Sequence, residues 1–295
     1  MFEVLLQGLL LGGLYCLFAQ GLSVMFGVMR LTNIAQGDFI VMAAFAAIAL
    51  SATISANVAG SIGALAAVAL TAALLLPLSF GLGYLLQRRV LNRTLGKDPL
   101  PSLVVTFGLS IVIQNALQEL FSADPRSLPT DGLNTRSFEL AGLNIGVLPL
   151  LIFVAALACT AALQQLFARS ALGRSFRAVS DDRDIAQLMG LDANRVFALA
   201  TGLAFVLIAL AGLFQGMRTT VAPADGPMLL IFAFEAVIIG GMGSFWGTFV
   251  GAAVLGVTQQ IGFTVDPGWG LWFGHLVFLA VLVVRPQGLF PKTRG

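Results

Sequence analysis

The sequence predicts an all-α membrane protein, a polytopic helical bundle of about eight spans with broken or half-length helices. Of its 295 residues, 58% are hydrophobic and only 10% are charged, whereas about 25% of the residues of an ordinary soluble domain are charged. Several apolar runs also exceed the roughly 20 residues that a transmembrane helix needs. Residues 4–29 and 196–217, for example, contain no charged side chain. Because a soluble monomer avoids apolar surfaces of this size, we expect lipid to be the solvent.

The apolar runs are expected to be helices, because in hydrocarbon every backbone N–H and C=O must be paired internally and barrel strands would alternate in hydropathy. The first run has no basic segment before it and no small-residue cleavage site after it, which predicts a retained span rather than a signal peptide. Cys16 and Cys159 lie inside apolar runs and are expected to pack as small hydrophobic side chains. Within a single domain covering residues 1–295, continuous spans are predicted at 4–29, 33–51, 57–86, 99–121, 145–167, 197–216 and 269–284.

The distribution of Lys and Arg predicts the orientation of the spans. All but three of the 16 Lys and Arg residues lie at Arg30, in the loops 87–98 and 169–195, or in the tail from Arg285. Cytoplasmic segments of membrane proteins carry an excess of these residues, so these segments are predicted to be cytoplasmic and the N-terminus to be on the other side. The three exceptions are expected outside: Arg126, Arg136 and Arg218.

The run 228–261 is expected to fold back on itself. If residues 217–227 lie outside and Arg285 inside, this run must enter the membrane and return to the same side. Gly240 and Gly241 lie near its middle, where glycine permits a tight reversal and close helix approach. Each arm of roughly 14 residues would give about 21 Å of helix, less than the core of about 30 Å. Two half-length helices are therefore predicted, and such breaks in transporters lie beside the transport path.

A second polar interruption, residues 30–38, separates the first two apolar runs, and residues 27–45 and 240–255 suggest a diverged internal repeat. Polar groups inside a membrane are costly and are candidates for function. Two alternatives stay open. Asp38 could instead stabilise the N-terminus of the following helix, and Glu235 could instead form an inter-helix hydrogen bond. The candidate pathway residues around both breaks are Asn33, Gln36, Asp38, Thr106, Glu235, Gly240 and Gly241.

The loop 169–195 contains a predicted cytoplasmic helix of about nine residues. Ser180 is a suitable N-cap, acidic residues follow it, and Gly190 is suited to the position after the last turn. Three apolar residues share one face at i, i+3, i+4 spacing: Ile185, Leu188 and Met189. This is too little apolar surface for a core. Two interpretations stay open, a solvated helix resting on lipid headgroups or a surface that receives force from a cytosolic ATPase.

Several stretches, matched in order and spacing, resemble those of a known family. They are GGLY at 12–15, LTNIAQGD at 31–38, GRSFRA at 173–178 followed by MGL at 189–191, and IGGMGSFWGT at 239–248 with the closing RPQGLF at 285–290. The chain resembles, nearly end to end, the branched-chain amino acid permease family, the membrane subunits of high-affinity Leu/Ile/Val importers. Gln36, where many relatives carry His, and the Ala-rich arm 41–73 depart from the family pattern and bear on the substrate.

The resemblance implies a permease of an ATP-binding-cassette importer that moves Leu, Ile and Val across the bacterial inner membrane by alternating access. It implies as partners a second homologous permease, two cytosolic ATPase subunits and a periplasmic substrate-binding protein, but no nucleic acid. ATP and Mg would be bound by the ATPases, and no cofactor by this chain. The helix 181–189 corresponds to the family's coupling helix. The resemblance assigns coupling to Arg174, Arg177, Asp181, Asp182, Ile185, Ala186, Leu188, Met189 and Gly190.

Other functions remain open on the sequence. The same importer class could carry urea, amides, other amino acids or aromatic acids, and broken helices with buried carboxylates would also suit an ion-coupled secondary transporter. An enzyme is disfavoured because the H-E-x-x-H and G-x-S-x-G patterns are absent and Lys97 is followed by Asp98 instead of the Ser or Thr of a nucleotide-binding loop. His275, the only histidine, is expected to be a hydrogen-bonded residue of a helix interface rather than a metal ligand.

Overall fold

The computed structural model of the chain confirms the all-α membrane bundle. It describes residues 1–57, 63–96, 99–130, 132–140 and 143–290; Lys97, Asp98 and the tail beyond residue 290 lie outside this part. In the described ranges, eight helices are long and apolar enough to cross a membrane. The helices are α1 Phe2–Met29, α2 Gln36–Asn57, α3 Ala64–Arg89, α4 Leu100–Phe121, α5 Val147–Arg169, α6 Ala171–Asp181, α7 Arg183–Leu188, α8 Ala193–Arg218, α9 Gly226–Gly240, α10 Phe245–Val265 and α11 Gly270–Val284.

A short antiparallel hairpin, β1 Ser137–Leu140 and β2 Leu143–Gly146, interrupts the helical pattern between α4 and α5. The sequence did not predict it. Two 3₁₀ turns, Leu91–Arg93 and Pro223–Asp225, lie after α3 and before α9.

The helices α1 and α8 form the centre of the bundle. Their most apolar windows are 89% and 78% buried inside the chain, against 22% for α3, which lies at the periphery. The two helices pack on each other, and α1 also packs on α10. At that crossing a Cβ added to Gly12 would lie 2.6 Å from Ala253 Cα, so glycine is required for the backbones to approach this closely. The glycines of the first run are therefore packing residues.

Two pairs of helices share the same organisation. Residues 30–35 connect α1 to α2, and residues 219–225 connect α8 to α9. The first connection folds back into the bundle, because Gln36 Nε2 donates a hydrogen bond of 2.9 Å to the carbonyl of Phe18, near the middle of α1. The first turns of α2 and α9 then meet, with Gly37 packed on the backbone of Gly226. The α1–α2 and α8–α9 pairs therefore meet at this crossing, whereas the internal repeat suggested for residues 27–45 and 240–255 stays a prediction.

The reversal after Gly240 is present, but it does not lie at mid-depth. Gly243 packs against Gly27, two residues before α1 ends. The turn therefore lies at one end of the bundle. The 15 residues of α9 match the predicted half-length helix, whereas α10 has 21 residues and is long enough to span. The half-length prediction is wrong for α10, because its helix continues past residue 261 to Val265.

Candidate functional site

The predicted coupling segment forms two helices rather than one. The first, α6, begins at Ser170, whose Oγ accepts a hydrogen bond of 2.9 Å from Gly173 N. The second, α7, is capped by Asp182, whose Oδ1 accepts bonds of 2.9 Å from the amides of the second and third residues after it. The predicted N-cap Ser180 is wrong, because this residue continues α6 and its hydroxyl donates a bond of 2.8 Å to the carbonyl of Gly27. Gly190 has a φ of +86° and ends the segment as predicted.

The two helices of this segment differ in burial. Phe176 and Val179 of α6 are buried, and the ring of Phe176 lies 5.2 Å from that of Phe167 on α5. On α7 the small Ala186 is the buried residue. The predicted apolar face points away from the chain, with exposed fractions of 60% for Ile185, 86% for Leu188 and 80% for Met189. Helix α6 is therefore anchored to the bundle, while α7 presents an uncovered apolar surface.

The charged residues assigned to coupling lie on α6 and at the start of α7. Arg174, Asp181 and Asp182 are exposed, and Arg177 is partly buried. Beside them a cavity of about 220 Å³ lies between α6 and the end of α1, and Arg30 and Arg183 are among its lining residues. The guanidinium of Arg183 lies 5.7 Å from the ring centre of Phe197 on α8, a distance at which a cation and a ring attract each other.

Polar side chains in and beside the first break accept hydrogen bonds from its backbone N–H groups. Asn33 Oδ1 accepts a bond of 3.1 Å from Ala35 N, and Thr106 Oγ1 accepts one of 3.3 Å from Ile34 N. Asn33, Gln36 and Thr106 are completely buried. Unpaired backbone groups are costly at membrane depth, so these side chains have a structural task whatever their part in transport.

Asp38 lies where the N-termini of α2 and α9 meet. Its Oδ1 accepts a bond of 2.9 Å from Gln114 Nε2 of α4, while its buried Oδ2 has no partner among the described residues. A side chain on Gly226 would collide with this carboxylate. Helix N-termini attract negative charge. The geometry therefore fits the alternative in which Asp38 stabilises a helix N-terminus, and here it lies at the N-termini of both α2 and α9.

Glu235 and His275 join α9 to α11 at mid-bundle. The Nδ1 atom of His275 lies 2.5 Å from Glu235 Oε1, and the buried Oε2 has no partner among the described residues. The expectation that His275 is a hydrogen-bonded interface residue is confirmed, as is the inter-helix bond of Glu235. Nearby, the hydroxyl of Tyr15 donates to Gln259 Oε1 at 2.5 Å, and Gln259 packs on Gly274.

Sequence reasoning missed the buried polar residues of the central helix. Besides Tyr15, Gln20 of α1 donates through Nε2 to Thr160 Oγ1 of α5 at 2.9 Å. The signal was available, since both are polar residues in otherwise apolar runs. Cys16 is completely buried beside them, whereas Cys159 is partly exposed. Polar contacts thus tie α1 to α5 and α10.

The predicted pathway glycines are tightly packed. Gly240 lies against the backbone of Gly247, and Gly241, with a φ of +106°, packs on Gly288. The carbonyl of Gly240 also accepts a bond of 2.9 Å from Phe290 N. This region is therefore a backbone junction, about 21 Å of helix away from the start of α9 at 1.5 Å per residue. Its turn residue Gly243 contacts Gly27, three residues before the first break begins.

The family described as "Branched-chain amino acid transport system / permease component" matches residues 4–285. The permease protein BraD of the high-affinity branched-chain amino acid transport system of Pseudomonas aeruginosa is 29% identical, over 98% of this chain and 95% of BraD. The corresponding protein LivH of Escherichia coli is 24% identical over the same shares. LivM of Salmonella typhimurium, a permease protein of such a system, is 30% identical over 43% of this chain and 30% of LivM.

Proposed function

The chain belongs to the family of permease components of branched-chain amino acid transport systems, and from this we propose that it is the membrane permease of an ATP-binding-cassette importer. We infer that it moves leucine, isoleucine and valine into a bacterial cell by alternating access. The observation that carries the proposal is the family match over residues 4–285. The relatives BraD and LivH, which cover almost the whole chain, are named for branched-chain amino acid transport.

The proposed complex contains two permeases, two cytosolic ATPases that bind ATP and Mg, and a periplasmic substrate-binding protein. The likeness of this chain to both LivH and LivM supports a second, homologous permease. The uncovered apolar side of α7 supports ATPase partners, because three large exposed apolar side chains on so short a helix need a complementary groove. The proposed orientation places the N-terminus in the periplasm and residues 169–195 in the cytoplasm.

Coupling would pass from α7 to the bundle through α6. An ATPase that binds Leu188 and Met189 moves α7, and the buried Phe176 transmits this movement because α6 is packed against the bundle. The bond from Ser180 to Gly27 connects α6 to the end of α1, directly before the irregular residues 30–35. A push on the exposed helix would therefore reach the first break and the α2–α9 crossing.

Reconstitution of the purified complex in proteoliposomes tests the proposal. ATP inside the vesicles should drive uptake of labelled leucine only when the binding protein is outside, and unlabelled isoleucine and valine should compete. Urea, amides and aromatic acids should not compete. Uptake driven by a proton or sodium gradient without ATP would overturn the importer proposal in favour of a secondary transporter.

A further inference from the structure

One side of the bundle exposes irregular backbone at membrane depth. The start of α9 lies inside the bundle, because Gly226 packs on Gly37. Even so, Ala224 of the preceding 3₁₀ turn and Pro227 and Met228 of the first turn are exposed. Lipid cannot pair the free backbone groups of such a segment, which is tolerated only against protein or water. This side of the chain therefore needs a covering other than lipid.

The two helices that contact the 3₁₀ turn and α9 also expose polar groups. Helix α4 contacts the 3₁₀ turn before α9, and its Asn115 is exposed. Helix α11 contacts α9, and the side chain of its His275 is 40% accessible. By contrast, every exposed residue of α3 from 65 to 85 is apolar, as is every exposed residue of α5 from 147 to 163. A polar side chain facing hydrocarbon is costly, so α3 and α5 suit lipid and the side formed by α4, α9 and α11 does not.

His275 is held rigidly on this side. The Glu235 carboxylate fixes Nδ1 from within the bundle and leaves Nε2 at the other edge of the ring. The surrounding α11 surface is apolar, with Trp272, Leu276 and Leu279 exposed. Polar side chains such as His form hydrogen bonds across contacts between membrane helices, whereas an aqueous channel would be lined by more polar groups.

We propose that the α4–α11 face, formed by Ile111, Asn115, Met228, Trp272, His275 and Leu276, is the surface that binds the second permease, a chain of this same fold. His275 makes a hydrogen bond across that contact through Nε2. The inference rests on the proposed function for the existence of a second permease and adds which face meets it.

Photocross-linking tests the face. A photoreactive benzoylphenylalanine replaces Leu276 of α11 in one variant and Leu74 of α3 in a control; both residues are exposed. After illumination of the complete complex in membranes, the Leu276 variant should give an adduct of two permeases and the Leu74 variant should not. A permease adduct from the α3 position alone, or from neither position in a complex that purifies intact, would overturn the proposed face.

A pair of substitutions tests His275. His275→Asn keeps a group able to bond Glu235 but removes the outward nitrogen, whereas the longer amide of His275→Gln can reach the position of Nε2. A lost hydrogen bond between membrane helices corresponds to about threefold weaker association. We expect this loss for Asn and recovery for Gln when permease association is measured by titration with detergent. Equal association of His275→Asn and the parent would overturn the role of Nε2.

These outcomes are separable from those of the proposed function. A complex that imports leucine but cross-links through α3 refutes the face and leaves the importer intact. A complex that cross-links through α11 but does not import branched-chain amino acids refutes the substrate and leaves the face intact.

Discussion

Some buried polar side chains form hydrogen bonds with backbone groups of the break, and others keep a polar atom without a partner. Asn33 and Thr106 belong to the first group. In the described part of the chain, the second group comprises Gln20 Oε1, Gln36 Oε1, Asp38 Oδ2, Glu235 Oε2 and Gln259 Nε2. An unpaired buried polar atom costs about 1–3 kcal/mol, so these positions carry a stability cost that packing must offset.

Two substitutions at Glu235 separate the effect of its hydrogen bond to His275 from the effect of its acidic group. Glu235→Gln retains an oxygen for His275 and removes an acidic group from the interior, whereas Glu235→Ala breaks the contact. We expect the free energy of unfolding to fall by about 1–3 kcal/mol for Ala and by clearly less for Gln. Thermal unfolding in detergent measures this, with Glu3→Gln at the exposed end of α1 as control. Equal losses for the Ala and Gln variants would contradict the assignment.

Leu188 tests the exposed face of α7. Burying a leucine side chain contributes about 1.5–3 kcal/mol, so Leu188→Asp should weaken ATPase binding by roughly tenfold or more and uncouple ATP turnover from transport. The chain should still insert, because Leu188 is 86% exposed. Gln187→Asp, at an exposed neighbouring position, adds the same charge as a control. Transport at the parental rate by Leu188→Asp would show that this face does not bind the ATPase.

At the scale of elements, the sequence predicts long apolar helices well and short helices poorly. Long spans follow from hydropathy, which packing does not override. The start of the coupling helix is hard to predict because Ser180 and Asp182 are both good caps. The choice between them depends on the burial of Phe176 and Val179, which holds the chain helical through residue 181. The depth of the 241–244 turn depends on the contact of Gly243 with Gly27, which sequence spacing does not encode.

The cap of α7 gives a test at this scale. Asp182→Ala removes the acceptor of two backbone bonds and should cost α7 about 1 kcal/mol, which corresponds to roughly fivefold faster amide exchange in α7. Ser180→Ala is the matched control, since it removes only the bond to Gly27. Hydrogen exchange with mass spectrometry of the loop peptide measures both. Faster α7 exchange in Ser180→Ala than in Asp182→Ala would reinstate Ser180 as the cap.

For the whole molecule, the crossing of α2 and α9 is the point at which the α1–α2 and α8–α9 pairs meet. The α1–α2 and α8–α9 pairs each bring a second helix into the interior, and the two first turns close on each other without room for a Cβ at Gly37 or Gly226. The candidate pathway residues of the first break surround this crossing. Sequence could identify the break as polar, but the crossing joins positions that are far apart along the chain, and no local pattern predicts such a contact.

The close packing at this crossing predicts that alanine substitutions at Gly226 and at the open position Gly81 change stability in opposite directions. Gly226→Ala would force a methyl group into Asp38 and the first turn of α2, and strain of this kind costs typically 1–3 kcal/mol. In Gly81→Ala, the new methyl group has nothing within 4 Å, and the gain in helix propensity of α3 is up to about 1 kcal/mol. Thermal unfolding of the two variants in the same detergent should therefore shift in opposite directions. A Gly226→Ala protein as stable as the parent would mean that the first turns of α2 and α9 separate readily, and the two helix pairs would then be free to move apart at their shared crossing.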